Sequence, residues 1–345
     1  MANDRWIRAA CAALLLVAGL ATAAGAESGY KLDKVADGVY CATSTQTAYY
    51  VANSAIVVGD DAVLVVDSGA SPSGARRLIE AVRTVSDKPI RYLVDTHFHF
   101  DHAFGNAAFG PETVVISQEA TRALLGPEAL HGRTYRGFAD GIPERVGQLR
   151  AQAVAEPAAE KRRSIEAQAA ALEAYGQELA TLTIATPRIA FSERAVVDLG
   201  HREVQLVFVG RGHTAGDTLV LLPRERVLCS GDFFNGYIGY MGDAYVDEWA
   251  DGLDRLAKLD FETVVAGHGA PFKGKDRIAF VQACLRDLWR QAVDLRRAGV
   301  PADEAARRID LRAHAAHFPP LAEPGFNPVA VRRIYEVLDE REARR

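Results

Sequence analysis

Thr96-His97-Phe98-His99-Phe100-Asp101-His102 sets three imidazoles and a carboxylate within one short stretch. The potential ligands stand at i, i+2, i+4 and i+5. A strand collects alternate residues on one face and a helix every third or fourth, so neither gathers all four, and a loop is expected. Imidazole nitrogen with carboxylate oxygen suits zinc and, more broadly, first-row divalent metals. The preceding Tyr92-Leu93-Val94 reads as the end of a short apolar strand. Such a strand delivers the loop to the carboxyl edge of a sheet, the usual place for ligands in α/β folds. By itself the cluster also fits a solvated histidine-rich turn.

Three later features answer it. Gly210-Arg211-Gly212-His213-Thr214 follows a strand-like run at residues 203–209. Ser230-Gly231-Asp232 follows one at 227–229, and Gly267-His268-Gly269 one at 263–266. Each alone is an ordinary turn. Together with the first cluster they place potential ligands at the ends of several strands, the pattern of a metal centre. Upstream, residues 49–58 and 62–66 are β-branched runs separated by Gly59-Asp60-Asp61. Residues 73–85 carry Leu78, Ile79, Val82 and Val85 at helical spacing, and residues 90–94 return to a strand. A similar series of strands (195–197, 203–209, 218–222, 227–229), a helix (247–259) and a strand (263–266) follows, so two β/α halves are expected.

Residues 114–117 read as another buried strand. Residues 119–179 are Ala-rich and charged with helical periodicity, interrupted by Pro127, Pro143 and Pro157. Ile165, Ala169, Leu172, Tyr175 and Leu179 form an apolar stripe there. This is expected to be a helical insertion packed over the core, a lid or a dimer seam being the alternative. Residues 276–345 are expected as a helical C-terminal extension without chemistry of its own, which leaves 27–275 as the principal domain. With no short internal repeat, the 345 residues and their 49% hydrophobic content fit one core with helical additions.

A formal net charge of −5 and a pI near 6.0 give no reason to expect a nucleic-acid partner, so a small-molecule substrate is expected. Residues 1–26 read as a cleaved signal peptide. Arg5 and Arg8 supply charge, residues 9–20 are apolar, and Ala24-Gly25-Ala26 fits a small-x-small cleavage site. The apolar run is shorter than the ~20 residues that span a bilayer. The expectation is therefore a periplasmic or secreted protein with no stable membrane insertion, its oligomeric state left open. Beyond the leader lie Cys41, Cys229 and Cys284, an odd number that excludes a disulfide framework but allows a single Cys41–Cys284 bond. Cys229 lies inside an apolar strand and reads as core.

The four motifs, in this order, resemble those of the metallo-β-lactamase superfamily over residues 30–272. The resemblance implies an α/β fold, the αββα sandwich with its metals at one edge. It implies two zinc ions per chain: His97, His99 and His213 on the first, Asp101, His102 and His268 on the second, and Asp232 bridging them. Asp67, in Val65-Val66-Asp67-Ser68-Gly69, matches the family's strand-end carboxylate that supports the ligands from behind. Two metals about 3.5–4 Å apart hold a water as hydroxide near neutral pH. The implied reaction is thus attack of a metal-bridging hydroxide on the carbonyl of an ester, thioester, lactone or lactam. Asp101 would orient the hydroxide as well as bind metal, and Asp232 would keep the metal spacing. In the lactamases with a cysteine ligand that cysteine stands where this chain has Asp232. Aspartate there is typical of glyoxalase II-like thioesterases and lactonases, which weakens without excluding a β-lactamase proper.

An iron-dependent oxidoreductase of the same superfamily, persulfide dioxygenase-like, is the main alternative. The mononuclear dioxygenases leave the second-site histidine unused, whereas His102 and His268 are both present, and the diiron reductases usually carry Glu where this chain has His99. A nuclease of the superfamily would need an added nucleic-acid domain. No Gly-x-Ser-x-Gly elbow supports a serine nucleophile. Substrate choice is expected to rest on the aromatic loop at residues 233–245 and on the insertion.

Overall fold

Runs such as Val63–Val66 and Leu219–Leu222 are buried at every residue, as happens when both faces of a sheet are covered. The computed structural model describes residues 29–344 apart from 47 and 50. The leader expected at 1–26 lies outside the described residues. One seven-stranded sheet runs in sequence order through β1 (Tyr30–Ala36), β2 (Val39–Ser44), β3 (Ser54–Val58), β4 (Val63–Val66), β5 (Ile90–Val94), β6 (Val114–Gln118) and β7 (Ile189–Phe191). Its first four strands are antiparallel, and from β4 to β7 the pairing is parallel. The second sheet contains β8 (Arg194–Asp198), β9 (Glu203–Val207), β10 (Leu219–Leu222), β11 (Val227–Gly231), β12 (Thr263–Ala266) and β13 (Phe272–Lys273), in the spatial order β13-β12-β11-β10-β9-β8. Only β11 and β12 pair in parallel there.

The helices are α1 (Pro72–Arg83), α2 (Phe100–Ala103), α3 (Glu119–Leu124), α4 (Arg133–Ala139), α5 (Ile142–Ala155), α6 (Ala159–Ala180), α7 (Val246–Leu256), α8 (Asp276–Arg297), α9 (Ala302–Arg308) and α10 (Pro328–Ala343). Strand alternation sorts the core into layers. Leu64, Val66, Val220, Leu222, Cys229 and Val265 meet between the sheets. Val63 and Val65 face the other way, onto Leu78 and Val82 of α1, while Leu219, Leu221, Leu228 and Val264 pack on Trp249 and Leu253 of α7. The result is the expected αββα sandwich. Helix α1 starts where Ser71 Oγ accepts a hydrogen bond from the Gly74 amide (3.2 Å) and Pro72 occupies the first turn.

The prolines of the insertion open helical segments or separate them: Pro127 begins a 3₁₀ turn, Pro143 sits in the first turn of α5, and Pro157 lies between α5 and α6. This follows from their fixed φ and missing N–H, which a first turn tolerates. The stripe Ile165, Ala169, Leu172, Tyr175 and Leu179 is buried. Leu172, Tyr175 and Leu179 share a cluster with Ile142 and Val146 of α5 and with Phe100 and Phe104, so this part of the face is occupied by the chain's own core. Helix α6 is pinned by Tyr175 Oη, which donates to the Ala70 carbonyl (3.2 Å), and by Glu178, which accepts from the Ser73 amide (2.7 Å) and hydroxyl (2.6 Å). The C-terminal helices do not stand apart: Ile278, Leu285 and Leu288 of α8 and Val331 and Ile334 of α10 complete the outer layer on the second sheet. Cys41 and Cys229 lie between the sheets and Cys284 in that outer layer, all buried and free. The Cys41–Cys284 bond that the sequence allowed is absent, because the two belong to different layers.

Candidate metal centre

Strands β4, β5, β9, β11 and β12 each end at the same edge of the sandwich and lead, directly or through a short turn, to a candidate residue. Strand β9 is antiparallel to β10, itself antiparallel to β11, so β9 and β11 present their carboxyl ends together. After β5 the chain is irregular through His97 and His99, then turns into α2. The sequence assigned all four ligands to a loop. Asp101 and His102 instead ride on this single helical turn, closed by the His102 and Ala103 amides donating to the His99 carbonyl (both 3.1 Å). Loop and turn together solve the spacing that neither could alone.

All seven predicted ligands come together, and among the described residues three groups bring their donor atoms within 4.8 Å of one another: His97, His99 and His213; Asp101, His102 and His268; and His97, His102 and Asp232. The third group places His97 near both sides. His99 Nδ1 faces His213 Nε2 at 3.0 Å. Asp101 Oδ2 lies 3.2 Å from His268 Nε2 and 3.8 Å from His102 Nε2. Asp232 is divided: Oδ1 lies 3.5 Å from His102 Nε2 and 3.4 Å from His268 Nε2, whereas Oδ2 lies 3.6 Å from His213 Nε2.

The residues behind the ligands explain this convergence. Asp67, at φ 61° after β4, accepts from the Thr96 amide and hydroxyl (both 2.8 Å) and pairs with His102 Nδ1 at 2.7 Å. It thereby holds the ring with Nε2 inward. Asp217 accepts from the Thr214 amide and hydroxyl and closes the turn after His213. Asn53 Nδ2 donates to the Ala266 and Gly269 carbonyls (3.0 and 2.7 Å), and Asn235 Oδ1 accepts from the His268 amide (3.1 Å). A Cβ on Gly267 would sit 2.2 Å from Asp232 Oδ1 and 2.8 Å from His102 Cε1, so only glycine lets this backbone approach the centre. His99 Nε2 meets Asp243 Oδ2 at 3.0 Å.

Burial lowers His213 to about 3, with His99 and His102 reinforcing it against Asp232, and burial likewise drives His97 far down. Burial also works to lower His102 and His268, but the carboxylates outweigh it: Asp67, Asp101 and Asp232 lift His102 to about 9, and Asp232 and Asp101 lift His268 to about 10. Burial would raise the two acids, yet His102 and His268 hold Asp101 below the ordinary carboxylate range, and the same two with His213 hold Asp232 well below it. The carboxylates therefore stay ionised in the absence of any metal. His97 Nε2 and His102 Nε2 are buried with no hydrogen-bond partner among the described residues. Unsatisfied buried polar atoms cost about 1–3 kcal/mol each, and inward-facing imidazole nitrogens beside carboxylates are the donor set that zinc accepts, any proton on them being released when it binds. The residues fit a metal.

Asp243, Asn53, Asn235 and Asp217 escaped the sequence reading. The Gly242-Asp243 step inside the aromatic loop was the available signal for the first, since an acidic residue beside a ligand-rich site is a candidate histidine partner. The aromatics of that loop divide. Phe233 and Phe234 are core residues, whereas Tyr237 and Tyr240 are 40% and 36% exposed, and the Tyr240 ring lies 5.9 Å from that of His99. Cys229 sits between the sheets, its thiol pushed up by burial.

A family model described as the metallo-beta-lactamase superfamily matches residues 49–268. Among curated proteins, a linear primary-alkylsulfatase of a Pseudomonas species is 28% identical over 297 residues, 81% of this chain and 54% of that protein. The chain thus spans about half the length of this relative. Among solved structures, a stereoselective inverting sec-alkylsulfatase from Pseudomonas aligns with TM-score 0.62 at 17% identity, over 88% of this chain and 49% of its own. A metallo-beta-lactamase from Pontibacter korlensis aligns with TM-score 0.53 at 20% identity, over 74% and 99%. Both likenesses are of fold.

Proposed function

We propose, from the premise that this chain belongs to the metallo-beta-lactamase superfamily, that it is a hydrolase of small molecules working with two zinc ions. The observation that carries this is the division of Asp232, one oxygen toward His102 and His268 and the other toward His213. His97, His99 and His213 would hold one cation, Asp101, His102 and His268 the other, with Asp232 between them. When bound, such a pair lowers the pKa of a shared water from about 15.7 toward ~7, so that no side-chain nucleophile is required. Asp101, kept ionised, offers a carboxylate to orient that water. Asp67 keeps the His102 ring turned inward, and Asp232 supplies the negative charge that offsets two cations.

The bond we assign is carbonyl-centred: an ester, thioester, lactone or lactam. An alkyl sulfate ester is the second reading, favoured by the 28% identity to an alkylsulfatase across 81% of the chain. Purified protein is expected to hold close to two equivalents of zinc and to lose its hydrolysis with a chelator and regain it with zinc. A panel of nitrocefin, a lactone, a thioester and an alkyl sulfate separates the bond types. One equivalent of iron with oxygen-dependent consumption of a persulfide would overturn the proposal in favour of an oxidoreductase. We also propose export of the chain with cleavage after Ala26, supported by the charged and apolar pattern of residues 1–26. Periplasmic protein should begin at Glu27, and recovery of an intact Met1 terminus would exclude it.

A further inference from the structure

The two histidines that flank the centre from opposite sides are held by different parts of the molecule. His102 is set by Asp67, at the end of a framework strand. His99 is set by Asp243, on the loop between β11 and α7, and that loop is braced from outside the sandwich. Thr134 on α4 of the insertion donates its hydroxyl proton to Asp243 Oδ2, the same oxygen that receives His99 Nε2–H. Having spent its proton there, Thr134 Oγ1 accepts from the Tyr240 hydroxyl at 3.1 Å. Arg133 sets its Nε 3.7 Å from Asp243 Oδ1 while its Nη1 lies 2.6 Å from Glu336 of α10. Asp243 therefore stands at a junction of insertion, loop and C-terminal helix.

The chemistry of imidazole gives this junction a consequence. A neutral histidine has one N–H and one lone pair. Committing Nε2–H to a fixed carboxylate leaves the lone pair on Nδ1, and Nδ1 is the atom that points at His213 Nε2, 3.0 Å away. Without Asp243 the ring could rotate or adopt the other tautomer, and its lone pair would leave the centre.

We propose that Asp243 is the positioning residue of His99 and that Thr134 in turn positions Asp243, so that the helical insertion governs occupancy of one of the two metal positions. This rests on the two-metal reading above. The test is zinc titration of the full chain against a competing chromophoric chelator, with absorption spectra of the cobalt-substituted protein as a second readout. Asp243→Ala should weaken one equivalent by roughly 10–100-fold, the range for loss of a carboxylate behind a ligating histidine. It should weaken the same equivalent that His99→Ala removes, and alter the cobalt bands of that site. Thr134→Val should weaken it by a smaller factor, roughly fivefold for one lost hydrogen bond. Asp67→Asn should act on the other equivalent. Should Asp243→Ala not fold, Asp243→Asn decides by the same criterion, with a smaller loss expected because its amide oxygen still accepts. Both equivalents retained at wild-type affinity with unchanged cobalt bands, or both weakened alike, would overturn the proposal. Wild-type protein that binds no zinc would instead bring down the two-metal reading, and this inference with it.

Discussion

At the scale of single residues, Asp232 and Cys229 lie close in sequence and have opposite duties. Asp232 follows β11 with both oxygens turned into the histidine groups, whereas Cys229 turns between the sheets among Val220, Leu222 and Val265. Asp232→Asn keeps the shape but removes the charge, so the zinc content is expected to fall from two equivalents toward one and turnover to fall steeply. Cys229→Ser should keep both metals and cost only the ~1–3 kcal/mol of a poorly satisfied buried hydroxyl, read as a lower denaturant midpoint. If Cys229→Ser lost a metal while Asp232→Asn kept both, the roles would be reversed. The candidate ligands were legible because each stands in a short motif shortly after a strand. Asp67 was legible only through the family resemblance. Asp243, Asn53 and Asn235 were not legible, since each acts through a partner far along the chain: Asp243 lies 144 positions from His99 and Asn53 213 from Ala266. Nothing local to such a residue announces a partner that only the fold supplies.

At the scale of elements, periodicity located what is buried on a regular face and missed what is not. The stripe on α6 and the apolar strands around β4, β5 and β10 were readable because burial imposes their spacing. Strand β7, with Ile189 49% exposed, and the two-residue β13 carry no such pattern and went unread. Of the three prolines that interrupt the helical periodicity of the insertion, Pro127 and Pro143 open helical segments, a placement that periodicity alone does not distinguish from a break. Its attachment can be tested at Glu178, the acceptor for the Ser73 amide and hydroxyl at the start of α1. Glu178→Ala should lower stability by about 1.5–3 kcal/mol, the range for hydrogen bonds to a charged group. It should leave both zinc equivalents in place, because Thr134 and Asp243 are untouched. A loss of zinc in this variant would show that the whole helical hairpin, rather than the α4 contact, supports the metal centre.

At the scale of the whole molecule, the sandwich followed from two β/α halves, but how the C-terminal helices close its outer face did not, because a charged amphipathic helix can cover any apolar surface. The two edges of the sandwich are secured by different means. One edge holds the histidines and carboxylates. The other is tied by Arg202, only 3% exposed, whose Nε donates to Glu225 Oε1 (2.9 Å) and whose Nη2 donates to the Asp37 carbonyl (2.7 Å). Its Nη1 donates to the carbonyls of Gly38 and Val58, so one side chain of the second sheet fastens the β1–β2 turn and the end of β3 in the first. Arg202→Met removes the cation but leaves the Glu225 carboxylate, only 8% exposed, without it, and breaking a buried pair in this way costs about 3–5 kcal/mol. Removing zinc acts on the other edge. A ligand present at 1,000 times its dissociation constant stabilises the folded state by ~4.1 kcal/mol, so a chelator should lower the unfolding midpoint of the wild-type protein. The two edges share no residue, and effects at such separated sites add to within about 0.3–0.5 kcal/mol. Chelation should therefore destabilise Arg202→Met by the same free energy as wild type, and the variant's zinc content should remain at the wild-type value. If Arg202→Met released zinc, or if chelation no longer lowered its stability, the metal centre would depend on the packing of the sheets across the whole sandwich and not on the strand ends that carry its ligands.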